Sequence, residues 1–261
     1  MIKNSSNLFI KKVAEFIALE FSENITPLEK ILEEEDIELF YDSYGDAFDG
    51  MTIYDKDKFY IHINTFRGNR PNTNRARFTI AHELGHYFLD KHRIGLKKGL
   101  LSPHLSVNDV NAYTKIENEA NYFASNLLMP EKKFLSMIQN KKFNFDLVKT
   151  ISKEFNTSIT ATAIRFSDIG NQPLMLVYCE NGIIKWKWNS RDFQYWKLLN
   201  GNTKIPEETV IGEYFYKQKV YTNTEDVWAI DWFEDVRNED SNKKIKEHCI
   251  IHNDKALSII W

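Results

Sequence analysis

Two histidines four residues apart, with a glutamate after the first, form His82-Glu83-Leu84-Gly85-His86 inside a stretch, Phe78 to Leu89, that reads as helix. On a helix this spacing separates the two side chains by about 40° around the axis and about 6 Å along it, so both imidazoles can reach one metal ion. Zinc accepts two imidazole nitrogens and an oxygen and keeps a fourth position for water. Glu83, next to His82, is placed to take that water's proton, which is the chemistry of metal-assisted hydrolysis.

The flanking sequence supplies the elements that must hold these groups. Asn72, Thr73 and Asn74 are N-cap candidates, and Ile80, Ala81, Leu84, Phe88 and Leu89 give the helix an apolar stripe. Gly85 inside that helix costs about 1 kcal/mol relative to alanine, so a closely packed backbone or a substrate is expected to use the space. Upstream, Leu8 to Phe21 has helical spacing. Thr26-Pro27-Leu28-Glu29 has the pattern of a capping box opening a short second helix, whose acidic end, Glu33 to Asp36, faces solvent. Ile37, Leu39 and Tyr41, then Met51 and Ile53, then Phe59, Ile61 and Ile63 alternate as three strands, the last two joined by a turn at Asp55-Lys56-Asp57. His62 falls on the opposite face from Ile61 and Ile63 and is expected to be exposed. Residues 91–111 lack periodicity and read as a loop or lid. Helical spacing returns from Ile116 to Leu128, and a further helix is expected over Glu131 to Gln139.

A catalytic zinc site needs a third protein ligand, and the candidates are Glu117, Glu119 and His92. His92 stands where metzincins carry their third histidine, but that arrangement turns the chain at a glycine. Here the position is Leu89, and the apolar run reads as continuing helix. Glu117-Asn118-Glu119-Ala120-Asn121 resembles the second signature of the gluzincins. That resemblance implies Glu117 as the ligand and Asn121 as the residue orienting His82.

Taken together, Arg77 to Phe88 and Glu117 to Pro130 resemble the ImmA/IrrE family of zinc metallopeptidases, as do Phe48 to Met51 and Phe59 to Asn64, the strands before the motif helix. The similarity spans roughly residues 8–170. It implies a zincin-like core with a small sheet, one Zn2+ per chain, and cleavage of a helix-turn-helix repressor that frees stress-response or mobile-element genes. For the tetrahedral oxyanion Tyr113, Tyr122, His92 and His104 are possible donors, and no one of them is assigned. An edge strand, Phe59 to Asn64, is expected to pair with extended substrate.

Leu147 to Phe166 reads as helix, turn and helix, with Ser158 as an N-cap. Its second helix offers Thr160, Thr162 and Arg165 but no basic stripe, and the family resemblance, in which a similar segment packs against the peptidase core, implies a scaffold or repressor-docking role rather than DNA binding. All six tryptophans lie between Trp186 and Trp261. Leu174 to Cys179 and Ile183 to Trp188 flank a turn at Glu180-Asn181-Gly182, and Ile250, Ile251 and Leu257 to Trp261 complete a β-rich region whose aromatics are expected to pack a core.

Lys and Arg total 34 against 37 Asp and Glu, a net charge of −3, which gives no global basic field for nucleic acid. Cys179 and Cys249 are too few and too far apart for a disulfide framework or a cysteine zinc site and fit a reducing compartment. The N-terminus shows no signal-peptide pattern and no apolar run long enough to span a bilayer, so a cytoplasmic protein is expected. The expected architecture is α+β: a zincin-like metallopeptidase core at 1–135, a helix-turn-helix-like segment at 136–170 packed on it, and a β-rich, tryptophan-rich domain at 171–261. Two other functions are consistent with these residues, a non-proteolytic zinc-containing regulator that binds a repressor or effector, and a DNA-binding regulator acting through residues 147–166.

Overall fold

The structure of the protein, a computed structural model, describes residues 5–101 and 110–261, with backbone alone at 110–114 and 202. It is a mixed α+β chain that divides into two compact units. The first comprises residues up to Met137 together with Ile151–Ser158, and the second comprises Ile138–Thr150 and Ile159–Trp261.

The first unit is built from α1 (Ser5–Leu19), α2 (Leu28–Glu34), β1 (Glu38–Asp42), β2 (Gly50–Asp55), β3 (Lys58–Asn64), α3 (Asn74–Phe88), α4 (Asp90–Lys97), α5 (Val110–Leu128) and most of α6 (Glu131–Ile138). Its sheet has the order β1-β3-β2, with β1 parallel and β2 antiparallel to β3. Lys56 (φ 47°) and Asp57 (φ 67°) both adopt left-handed backbone, the two-residue hairpin geometry whose twist matches the strands it joins. Ile61 and Ile63 are fully buried in the core. His62 is half-buried rather than exposed, because the Tyr44 hydroxyl lies 2.8 Å from its Nδ1 and Phe40 stacks on its ring. The sheet order overturns one expectation: Phe59 to Asn64 is the central strand, its backbone groups committed on both sides, and cannot accept a further strand. Among the described residues β2 is paired only with β3, which leaves its other edge free.

Two local expectations also change. Thr26 does not cap α2; its hydroxyl is drawn inward and donates to the Leu127 carbonyl at 2.8 Å, a buried tie that links the start of α2 to the end of α5. The stretch read as a lid begins with a helix, α4, because the chain turns at Leu89. Ile80, Ala81 and Leu84 of α3 and Phe123, Ala124 and Leu127 of α5 form one core with Ile10, Ala14 and Ala18 of α1. Each large aliphatic side chain buried there contributes about 1.5–3 kcal/mol. Gly85 sits where α3 meets α5: a Cβ at that position would lie 3.2 Å from both Ala120 Cα and Phe123 Cδ1. The closely packed backbone expected from this glycine is therefore α5.

The second unit takes the first part of α7 (Phe145–Glu154), α8 (Ile159–Ile169), and β4 (Met175–Glu180), β5 (Ile183–Asn189), α9 (Val210–Lys217), β6 (Glu225–Trp228), α10 (Ala229–Trp232), β7 (Lys244–His252) and β8 (Lys255–Ile260). The strands form an antiparallel sheet of order β5-β4-β8-β7-β6. Asn181 (φ 50°) and Gly182 (φ 73°) make the expected turn between β4 and β5. Trp232 is fully buried beside Phe233, whereas Trp188, Trp196 and Trp228 are 40%, 55% and 41% exposed, so only part of the aromatic set packs a core. On α8, Thr162 and Arg165 are buried, which removes two of the three polar side chains that a DNA-reading surface would have used. Among the described residues no helix is long and apolar enough to cross a membrane.

Two measurements test this packing. Gly85→Val should cost the first unit about 1–3 kcal/mol by overpacking against Ala120 and Phe123, read from denaturant unfolding by far-UV circular dichroism; unchanged stability would contradict the close crossing. In the second unit His248 stacks on Phe145 at 3.6 Å, and burial, with Lys149 adding to it against the opposing Asp146, pushes its imidazole from 6.5 down to about 4. The unfolded chain therefore takes up a proton that the folded one refuses. Stability from this group is present above pH 6.5 and is lost as the pH falls towards 4, by at most about 3 kcal/mol. Tryptophan fluorescence reports this unit, and the slope should disappear in His248→Gln.

Candidate metal centre

Thr73 starts α3: its backbone is extended (φ −93°, ψ 149°) and its side chain accepts a hydrogen bond from the Ala76 N–H at 3.2 Å. The buried stripe of Ile80, Ala81 and Leu84 fixes the helix's rotation, and this turns His82 and His86 towards α5. There Ala120, Phe123 and Ala124 face the core, so Glu117 and Asn121, one turn apart, lie together along another side of the helix.

His82 Nε2 lies 3.1 Å from His86 Nε2 and 3.1 Å from Glu117 Oε2, and His86 Nε2 lies 3.4 Å from Glu117 Oε1. One ligand atom from each of these three residues falls within 4.8 Å of the others. Asn121 Oδ1 is 2.9 Å from His82 Nδ1. With its carbonyl oxygen so oriented, Asn121 can only accept, so Nδ1 carries the proton and Nε2 presents a lone pair to the shared point. The His82 Nε2 lone pair and the Glu117 carboxylate thus converge on one spot that His86 Nε2 also faces, and a proton or a cation there would satisfy them. The donor set, two nitrogens and an oxygen, fits a divalent metal ion with an open position. Burial opposes charge on His82, but Glu117, Glu83 and Asn121 outweigh it and raise the imidazole above its ordinary value. Burial likewise opposes charge on Glu117, and contact with both histidines holds its carboxyl far below the usual carboxylate range.

The other candidates lie apart from this point. The chain leaves α3 at Leu89 in extended conformation (φ −82°, ψ 111°), a turn that needs no glycine, so the expectation of a helix continuing through Leu89 is corrected. His92, one turn into α4, is 1% exposed, its ring 5.1 Å from that of His86. Its Nε2 is 3.1 Å from Glu119 Oε2, while Ser6 donates to the other oxygen of Glu119 at 3.0 Å. Glu119 is therefore taken up by His92 and Ser6, while His92 Nδ1 is buried without a hydrogen-bond partner among the described residues. Of the other possible oxyanion donors, Tyr122 packs against the hydrophobic core, and His104 and the Tyr113 side chain lie outside the described residues.

Glu83 is 4% exposed, and the sequence did not reveal what surrounds it. Thr52 Oγ1, from β2, is 2.7 Å from Glu83 Oε2, and a Cβ on Gly50 would stand 2.7 Å from Glu83 Oε1. Both residues lie on one face of β2. No local signal in the sequence ties these two residues to Glu83, because β3 lies between them and the motif helix.

Residues 33–167 match the peptidase family described as the IrrE N-terminal-like domain. The chain is similar to the metallopeptidase ImmA of Bacillus subtilis (strain 168), with 33% identity over 129 residues that cover 47% of this chain and 64% of that relative. It spans less than two thirds of the relative's length. A solved Mycobacterium tuberculosis transcriptional regulator superposes with a TM-score of 0.60 at 14% identity, covering 97% of this chain and 75% of that one, a likeness of fold.

The Asn121 contact predicts a graded loss of metal. Asn121→Ala should weaken binding of a divalent ion about 10- to 100-fold, as measured by competition with a chromophoric chelator, and Glu117→Ala should weaken it further. Wild-type affinity in both variants would show that the three side chains do not act as a ligand set.

Proposed function

Because the chain belongs to the ImmA/IrrE family of metallopeptidase-like proteins, we propose that it is a zinc-dependent endopeptidase of the gluzincin type. The observation that carries this reading is the convergence of His82 Nε2, His86 Nε2 and the Glu117 carboxylate on one point, with Glu83 next in sequence to the first ligand. His82, His86 and Glu117 would hold one Zn2+. A zinc ion held there would polarise the scissile carbonyl and make water acidic enough to lose a proton near neutral pH. Glu83 is the general base: a carboxylate oxygen takes the proton from the attacking water and then delivers it to the departing amine nitrogen. Asn121 holds the imidazole of His82 in the tautomer that turns Nε2 towards the metal.

The substrate is a protein, and the family resemblance favours a helix-turn-helix repressor whose cleavage relieves repression. The free edge of β2 is the strand that an extended substrate segment would join, in place of β3. Both cysteines are buried free thiols, which supports a reducing, cytoplasmic setting.

The test joins partner and chemistry. The helix-turn-helix protein encoded by the adjacent reading frame is incubated with purified protein, with and without a chelator, and with Glu83→Gln. Cleavage is expected to require metal and to vanish in Glu83→Gln while that variant retains about one metal equivalent. Undiminished cleavage by Glu83→Gln would remove the general-base assignment. Repressor inactivation without cleavage would favour a regulator that acts by binding.

A further inference from the structure

Glu83 is almost wholly buried, and the hydroxyl that meets its carboxylate comes from outside its own helix. Strand β2 lies against α3, with Gly50 and Thr52 facing it. The Thr52 hydroxyl is 2.7 Å from Glu83 Oε2 and 3.1 Å from the Glu83 carbonyl oxygen. A hydroxyl has one hydrogen to donate, and the contact with the carboxylate oxygen is the shorter of the two. On the other side, Gly50 has no side chain where a Cβ would stand 2.7 Å from Oε1 and 2.5 Å from Thr79 Cγ2. One oxygen of the carboxylate is thus held and the other is left clear.

The start of β2 is fixed at this place by a polar network within the same unit. The Asp49 carboxylate accepts from Arg75 at 2.8 Å, from Asn69 at 3.2 Å and from Arg67 at 3.3 Å. Asn69 in turn accepts from the Thr79 hydroxyl at 2.8 Å, and Thr79 lies one helical turn before Glu83. Asn64, fully buried, donates to the carbonyls of Gly45 and Phe48 at 2.8 and 2.6 Å and so shapes the loop that enters β2. The start of the strand is therefore anchored to the same helix that carries the carboxylate, through Arg75 and Thr79.

We infer that Thr52 is a positioning residue for Glu83: its hydroxyl fixes Oε2, Gly50 keeps the space beside Oε1 open, and Oε1 is the oxygen that receives the proton from water. A structural role for Thr52 alone, satisfying its own buried hydroxyl on the Glu83 carbonyl, would leave the carboxylate free to rotate. The inference rests on the reading of Glu83 as the general base, and the two stand or fall on different measurements.

Three variants and one spectrum decide it. Thr52→Val keeps the shape and removes the hydroxyl. It should lower kcat on the adjacent-frame repressor about 10- to 100-fold, with KM and metal content unchanged. Thr52→Ser restores the hydroxyl and should recover most of the rate, and Gly50→Ala should lose rate by intruding on Oε1. In the metal-free protein the Thr52 hydroxyl proton, protected by burial, should give an NMR signal that shifts in Glu83→Gln. Wild-type kcat in Thr52→Val, an equal loss in Thr52→Ser, or a hydroxyl signal indifferent to Glu83→Gln would overturn the inference. If the metal-loaded wild type cleaves nothing, the peptidase reading fails, while the hydroxyl signal still reports whether Thr52 holds Glu83.

Discussion

The first unit depends on how closely two helices can approach. Gly85 lets α3 settle onto the backbone of α5 at Ala120, and only at that separation do the imidazoles of one helix and the carboxylate of the other come within about 3 Å. The cost of glycine in a helix, about 1 kcal/mol, is small beside the apolar area that the same crossing buries through Ile80, Leu84, Phe123 and Leu127. Packing on one side of α3 and the approach of His82 and His86 to Glu117 on the other both depend on a single missing side chain.

The same closeness creates an electrostatic demand. Two acceptors, His82 Nε2 and the Glu117 carboxylate, are aimed at one point beside His86 Nε2 and repel unless something positive lies between them, and the fold holds them there with Asn121 and the surrounding core. The strong downward pull on Glu117 and the upward pull on His82 are two signs of that one arrangement. Around it the neighbouring polar groups are kept from competing: Glu119 is occupied by His92 and Ser6, and Glu83 is turned to Thr52. A carboxylate that meets its own donor does not wander into its neighbour's place.

How much of this could be read from the chain depends on the range of each interaction. The pair His82 and His86 was legible because helical geometry alone brings them together, and the strands and turns at Lys56-Asp57 and Asn181-Gly182 were legible from alternation and turn chemistry. Glu117 was one of three candidates at the level of residues; its placement needed the docking of α5. Thr52 and Gly50 gave no local signal, since the contact with Glu83 arises from how a strand is laid on a helix. The order of the sheet was hidden for the same reason, so β3 was mistaken for an edge. Leu89 misled in another way: an extended residue can end a helix without a glycine, and an apolar side chain at the break looks like one more turn. Thr26 had the local chemistry of a cap and was claimed by a distant carbonyl instead.

The division of the ligand set between α3 and α5 has a mechanical consequence. An ion bound by His82, His86 and Glu117 would be a cross-link between two segments far apart in the chain, closing a loop as a disulfide does but reversibly. Occupancy would then stabilise the folded first unit by mass action, and an unfolded chain, offering only the two histidines of one short stretch, would hold the ion weakly. Loading would in that sense report assembly: a chain that has not docked α5 has not brought Glu117 to the two histidines.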